Sequence, residues 1–169
     1  MSYSQENKKK KELYIAGIFI EWLNVKEKFD YICKSHTVEN SIVDVIAISE
    51  SKRFPDIKIQ VSTAEAIWEE RFGKKLSAMR KHGDKGQSIG IRFNSQQWIL
   101  ESIKKKEERG SRNENKGDII LLLGVRACIR PQDIENKKIL PAMSSFKEVY
   151  IVFEPTCQNK CDRPVVQLK

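Results

Sequence analysis

The chain has 169 residues, 40% of them apolar and 32% charged, with a formal net charge of +8. That length is most simply a single domain with its own core, and the composition excludes a disordered or fibrous chain. No run approaches the roughly 20 apolar residues of a membrane helix, and the N-terminus is polar and lysine-rich rather than signal-like, so the sequence predicts no membrane partner and a cytoplasmic location, with the nucleus as the alternative.

The surplus of Lys and Arg favours polyanionic partners, nucleic acid first, with solubility as the alternative use of the charge. Cys33, Cys128, Cys157 and Cys161 are too scattered for a disulfide framework, and the Cys157-x3-Cys161 pair lacks a second half for a zinc site. With His36 and His82 the only histidines, a Cys-His or Ser-His nucleophile pair has little to draw on. Neither a Walker loop nor a dinucleotide-binding glycine fingerprint occurs.

In chain order, residues 1–11 read as a flexible basic lead-in ending in Lys8–Lys11 or as the solvated first turn of a helix, with a phosphate-binding arm as the functional alternative. From Lys11 to Ser35, Ile15, Ile18, Phe19, Trp22, Val25, Phe29, Ile32 and Cys33 recur at helical spacing and predict one long amphipathic helix. Glu21 stands at the margin of that face, either as a solvated flank or as a carboxylate approaching the strands that follow. Ile42–Ile48 predicts a strand covered on both sides. An unpaired Asp44 is costly there, so it belongs at the strand's start facing water or beside a cation. Ser49–Arg53 turns the chain, and Pro55 opens a strand in which Ile57, Ile59 and Val61 take one face while Asp56, Lys58 and Gln60 take the other.

A helix from Ser62 or Thr63 to about Arg80 follows, then a Gly- and Lys-rich loop over Lys81–Gln87, a short strand over Ser88–Phe93 and a helix over Gln96–Glu108. Asp118–Val125 is continuously apolar and predicts the central strand. Pro131 opens a short helix, Glu148–Glu154 forms a last strand, and residues 155–169 read as an irregular tail. The expected architecture is α/β: a three-layer sandwich with a mixed sheet of about five strands flanked by helices.

A leading helix, an Asp-bearing strand and then a strand with a polar face running into a helix resemble the restriction-endonuclease-like fold of the PD-(D/E)xK superfamily. The resemblance is closest over residues 12–80. It implies Mg²⁺-dependent phosphodiester cleavage, with DNA as the first-choice partner and a homodimer compatible with it. Two registers compete. In one, Asp44 is the lone acid and Asp56-Ile57-Lys58 is the acid-x-lysine triplet, with Lys58 positioning water or phosphate. In the other, Gln60-Val61-Ser62 stands where Mrr-like nucleases carry Gln-x-Lys, and Ser62 replaces the lysine.

The resemblance thus assigns Asp44, Asp56, Lys58 and Gln60 to catalysis, and Asp44, Asp56 and Glu21 to the metal. Lys74, Lys81 and Lys85 are the candidate phosphate contacts. The departure at Ser62 keeps a second reading open, a non-catalytic binding module on the same scaffold. A solvated Asp56–Lys58 face on an unrelated α/β protein is the third.

Overall fold

The computed structural model describes residues 3–38, 41–64, 95–110, 117–125, 143–155 and 164–169. The expected helix over 63–80, the loop over 81–87, the strand over 88–93 and the Pro131 helix lie outside the described residues, apart from Thr63 and Ala64. So do Lys74, Lys81 and Lys85.

The protein is α/β, with two helices and a mixed six-stranded sheet among the described residues. Helix α1 spans Tyr3–Glu27, α2 spans Ser95–Gly110, and the strands are β1 (Tyr31–Ser35), β2 (Val45–Ser49), β3 (Ile57–Thr63), β4 (Ile119–Val125), β5 (Glu148–Phe153) and β6 (Val165–Gln167). The strands lie in chain order across the sheet. β1, β2 and β3 form an antiparallel meander, β4 and β5 run parallel to β3, and β6 closes the far edge antiparallel to β5.

Period-2 alternation decides which side chains meet which helix. Ile59 and Val61 of β3, Ile120 and Leu122 of β4, and Tyr150 and Val152 of β5 share one core with Ile15, Ala16 and Phe19 of α1. Leu121 and Leu123, with Val149, Ile151 and Phe153, share a second core with Trp98, Ile99 and Ile103 of α2. β4 is buried along its whole length, as a strand covered on both faces must be. β3 is apolar on the α1 side alone, and Lys58, Gln60 and Ser62 take its other face.

Of the readings of residues 1–11, the helical one holds: α1 begins at Tyr3, and Glu6–Lys10 (2.8 Å) and Lys8–Glu12 (3.4 Å) pair across successive turns of it. Two expectations need correction. The same helix stops at Glu27 instead of Ser35, because Lys28 takes a left-handed φ of 57° that ends it. Tyr31–Ser35 then pairs with β2, leaving Val25 exposed. The tail is also not wholly irregular, since Val165 and Val166 are buried and pair with β5. Both missed strands lie at sheet edges, where the apolar pattern is shortest.

Candidate functional site

Asp44 sits where the chain enters β2. Its carbonyl accepts from His36 N–H (2.9 Å), which extends the β1–β2 ladder by one residue, and its N–H donates to the carbonyl of Ile59 (2.9 Å), the residue that Val45 already faces, so two residues here oppose one on β3. Beyond it the ladder breaks, because Val43 N–H donates to Ser41 Oγ (3.0 Å). The Asp44 side chain fills the gap: Val61 N–H donates to its Oδ2 at 2.8 Å. A half-buried carboxylate thus caps an interior strand, which is a structural reason for an acid at this position.

That carboxylate also lines a cleft of about 160 Å³. Lys8, Lys11 and Glu12 reach it from α1, Ser62 and Thr63 from the end of β3, and Lys106 from α2. Glu12 accompanies Ile15 and Ala16, which are fully buried one turn further on, so the core-facing phase of α1 carries it to the sheet. Lys8 pairs with Glu12 at 3.4 Å, and Lys11 approaches Glu154 Oε1, past the end of β5, at 4.0 Å.

Burial pushes the Asp44 carboxyl above the usual carboxylate range, against the Val61 N–H bond and the charges of Lys106 and Lys8. Glu12 is raised too, by burial first and then by the negative charge of Asp44, while Lys8 opposes the shift. The two acids therefore repel one another in a partly desolvated cleft, and each is drawn down by the same lysines. Such a pair gains from any cation brought between them.

Of the sequence-assigned residues that the structure describes, only Asp44 lines this cleft. Gln60 is next to Val61 in β3, half-buried and opposite Leu121, but does not line it. Lys58 is exposed and opposite Ile46. Asp56 is five residues before Val61, about 17 Å along an extended strand, and lines a different cleft at the other end of the sheet. Glu21 is exposed, and nine residues from Glu12 place it about 14 Å further along α1 on the opposite side of the helix. The structure therefore does not gather Asp44, Asp56, Lys58, Gln60 and Glu21 into one site. Its register sets Asp44 beside residues 59–61, and the α1 acid it brings in is Glu12.

The sequence carried a signal for Glu12. It precedes Ile15, Ala16 and Phe19 by three, four and seven residues, the spacing of one helix face. Lys106 offered none, standing in a run of three lysines on a helix whose phase alone selects among them. Among the described residues no group of three or more His, Cys, Asp or Glu side chains could hold a metal ion. Two carboxylates do suit Mg²⁺, which keeps several waters and takes its remaining ligands from phosphate.

No family model matches the chain, and no solved structure matches it. A kinesin-like protein of Arabidopsis thaliana, Kinesin-like protein KIN-UA, is 26% identical to it over 139 residues. That alignment covers 82% of this chain and 14% of the plant protein. Among the described residues no helix is long and apolar enough to cross a membrane.

Proposed function

We propose that the chain is a restriction-endonuclease-like domain that binds nucleic acid, DNA in the first instance, at the Asp44–Glu12 cleft. One observation carries this reading: two half-buried carboxylates meet three lysines at the end of a parallel strand pair. Carboxylates alone would suit a cation and lysines alone an anion. Both together suit a phosphate that arrives with a divalent cation. The leading helix, the aspartate at the head of β2 and the polar face of β3 also stand in the order on which the resemblance rests.

In this reading Asp44 and Glu12 hold Mg²⁺. Mg²⁺ held there would supply charge neutralisation at a scissile phosphate and a more acidic bound water. Val61 N–H fixes the Asp44 carboxylate through Oδ2, so the side chain is oriented before anything binds. Lys8 and Lys106 steer and hold phosphate oxygens. Ser62 supplies no cationic charge from β3, and Lys106 supplies it from α2 instead.

The same Ser62 favours a second reading, a binding module without cleavage. Fluorescence anisotropy on labelled duplex DNA, single-stranded DNA and RNA across a salt series, with Mg²⁺ or Mn²⁺ cleavage assays alongside, separates the two. Binding through three lysines gives a log–log salt slope of about −2 to −3, and each Lys→Ala change reduces it by about one. Metal-dependent cleavage lost in Asp44→Ala establishes the nuclease. Salt-dependent binding without cleavage establishes the module. Absence of both overturns the proposal.

A further inference from the structure

A second cleft, of about 470 Å³, opens at the other end of the sheet, on the face that α1 covers. It is about three times larger than the Asp44 cleft and falls in the size range of small-molecule sites. Its walls are aromatic. Phe19 lies against Tyr150 with ring centroids 4.8 Å apart, and Phe29 meets Phe54 at 4.6 Å and Tyr31 at 5.4 Å. All five rings line the cleft.

The rim reverses the charge of the protein. Among the described residues Glu27, Asp56, Asp118 and Glu148 line the cleft against Lys26 and Lys147, four carboxylates to two ammoniums in a chain of net charge +8. Lys26 is already engaged, with Glu27 at 3.4 Å and over the Trp22 ring at 4.8 Å. Asp118 and Glu148 share strand parity with Ile120 and Tyr150, which places both acids on the α1 side of adjacent strands. Tyr150 Oη donates to Glu148 Oε2 at 2.8 Å and holds that carboxylate at the cleft wall. Tyr31 Oη donates to Pro55 O at 2.9 Å and so fixes the turn that carries Phe54 and Asp56.

We propose that this cleft binds a small organic cation, an ammonium or guanidinium on an aromatic or aliphatic body. Phe29 and Phe54, the half-buried rings of the wall, accept the body and, through their negative faces, part of the charge, over a floor of the buried Phe19, Tyr31 and Tyr150. Asp118 and Glu148 take the remainder by charge-assisted hydrogen bonds. Lys26 over Trp22 shows the same chemistry already in use beside the cleft, within the chain. An anionic ligand would meet the carboxylate excess, and a neutral one would leave it unused. The site is separate from the Asp44 cleft and does not rest on the nucleic-acid reading.

The test is a titration of the full ¹⁵N-labelled chain with phenethylamine and phenylguanidine, using phenethyl alcohol and phenylacetate as neutral and anionic controls. Saturable shifts are expected at Ile57, Asp118 and Tyr150, with the alcohol weaker by about tenfold and phenylacetate not binding. Asp118→Asn and Glu148→Gln, both at exposed or half-exposed positions, should each weaken the amine about threefold or more while leaving Asp44-cleft signals in place. The proposal is overturned if the alcohol binds as tightly as the amine, if the shifts fall elsewhere, or if neither cation saturates by about 10 mM, the weak end of specific small-ligand binding.

Discussion

Gly124 in β4 lies directly against Ile15 of α1, and it offers the sharpest test of how the Asp44 cleft is built. A Cβ added there would fall well inside contact distance of Ile15 Cδ1, 3.1 Å from Ile15 Cγ1 and 3.4 Å from Glu154 Oε1. Ile15 is fully buried, so its Cδ1 has little room to yield. Were the position open, alanine would stabilise the strand by about 0.5–1 kcal/mol relative to glycine. Overpacking instead predicts a loss of about 2 kcal/mol for Gly124→Ala. For a chain of this length that lowers Tm by about 4–8 °C.

Ile15→Val removes Cδ1 and alone costs about 1 kcal/mol. The Gly124→Ala/Ile15→Val double variant should therefore be about 1 kcal/mol more stable than additivity allows. Because Ile15 also lines the Asp44 cleft one turn from Glu12, the single variant should weaken nucleic-acid binding and the double should recover it. Urea denaturation with anisotropy on the same four proteins decides the matter. A neutral or stabilising Gly124→Ala, or strict additivity in the double, refutes the close seating of α1.

Three further outcomes follow from the same geometry. Burial raises the folded-state pKa of Asp44 above its ordinary value of 3.8, so the folded protein binds that proton more tightly than the unfolded chain. Stability then falls as pH rises through the interval between the two values. Asp44→Asn, which keeps an acceptor for Val61 N–H, should gain most over wild type at neutral pH and lose that advantage as acid protonates Asp44; a gain independent of pH contradicts this. Asp30 titrates in the opposite sense. The Ser51 and Ser49 hydrogen bonds lower its pKa, so its support of the β2–β3 turn is present above its ordinary value and lost as pH falls through the depressed folded value. Asp30→Ala should speed hydrogen exchange at Ser51 at neutral pH, and unchanged protection would count against it. Saturating Mg²⁺, at about 100 times its Kd, should stabilise wild type by about 2.7 kcal/mol and leave Asp44→Ala unmoved.

The sheet centre was legible because β4 is an unbroken apolar run and β3 alternates strictly. Both patterns fix burial with no knowledge of the partners. Asp44 was legible for the converse reason, as a charge among apolar neighbours that had to be solvated, capped or paired. The β1 strand was not, since Ile32 and Cys33 continue the helical spacing of α1, and only the left-handed turn at Lys28, a residue type that does not announce it, breaks the pattern. The choice between acid registers was equally closed to sequence reasoning. Asp56 and Gln60 share a strand face, and which of them neighbours Asp44 depends on a cross-strand offset that pairing alone sets. Glu12 and Glu21 pose the same problem on a helix, where a nine-residue separation reverses the side.

The central claim is that Asp44 and Glu12 form one cation-binding cleft at the end of β3. Paramagnetic broadening by substoichiometric Mn²⁺ in the ¹⁵N spectrum of the whole chain tests it most directly. Selective loss of the Glu12, Asp44, Val61 and Ser62 signals is expected, abolished by Asp44→Ala, with Asp56 and Ile57 untouched. Broadening centred on Asp56, or spread evenly over the exposed carboxylates, would contradict it.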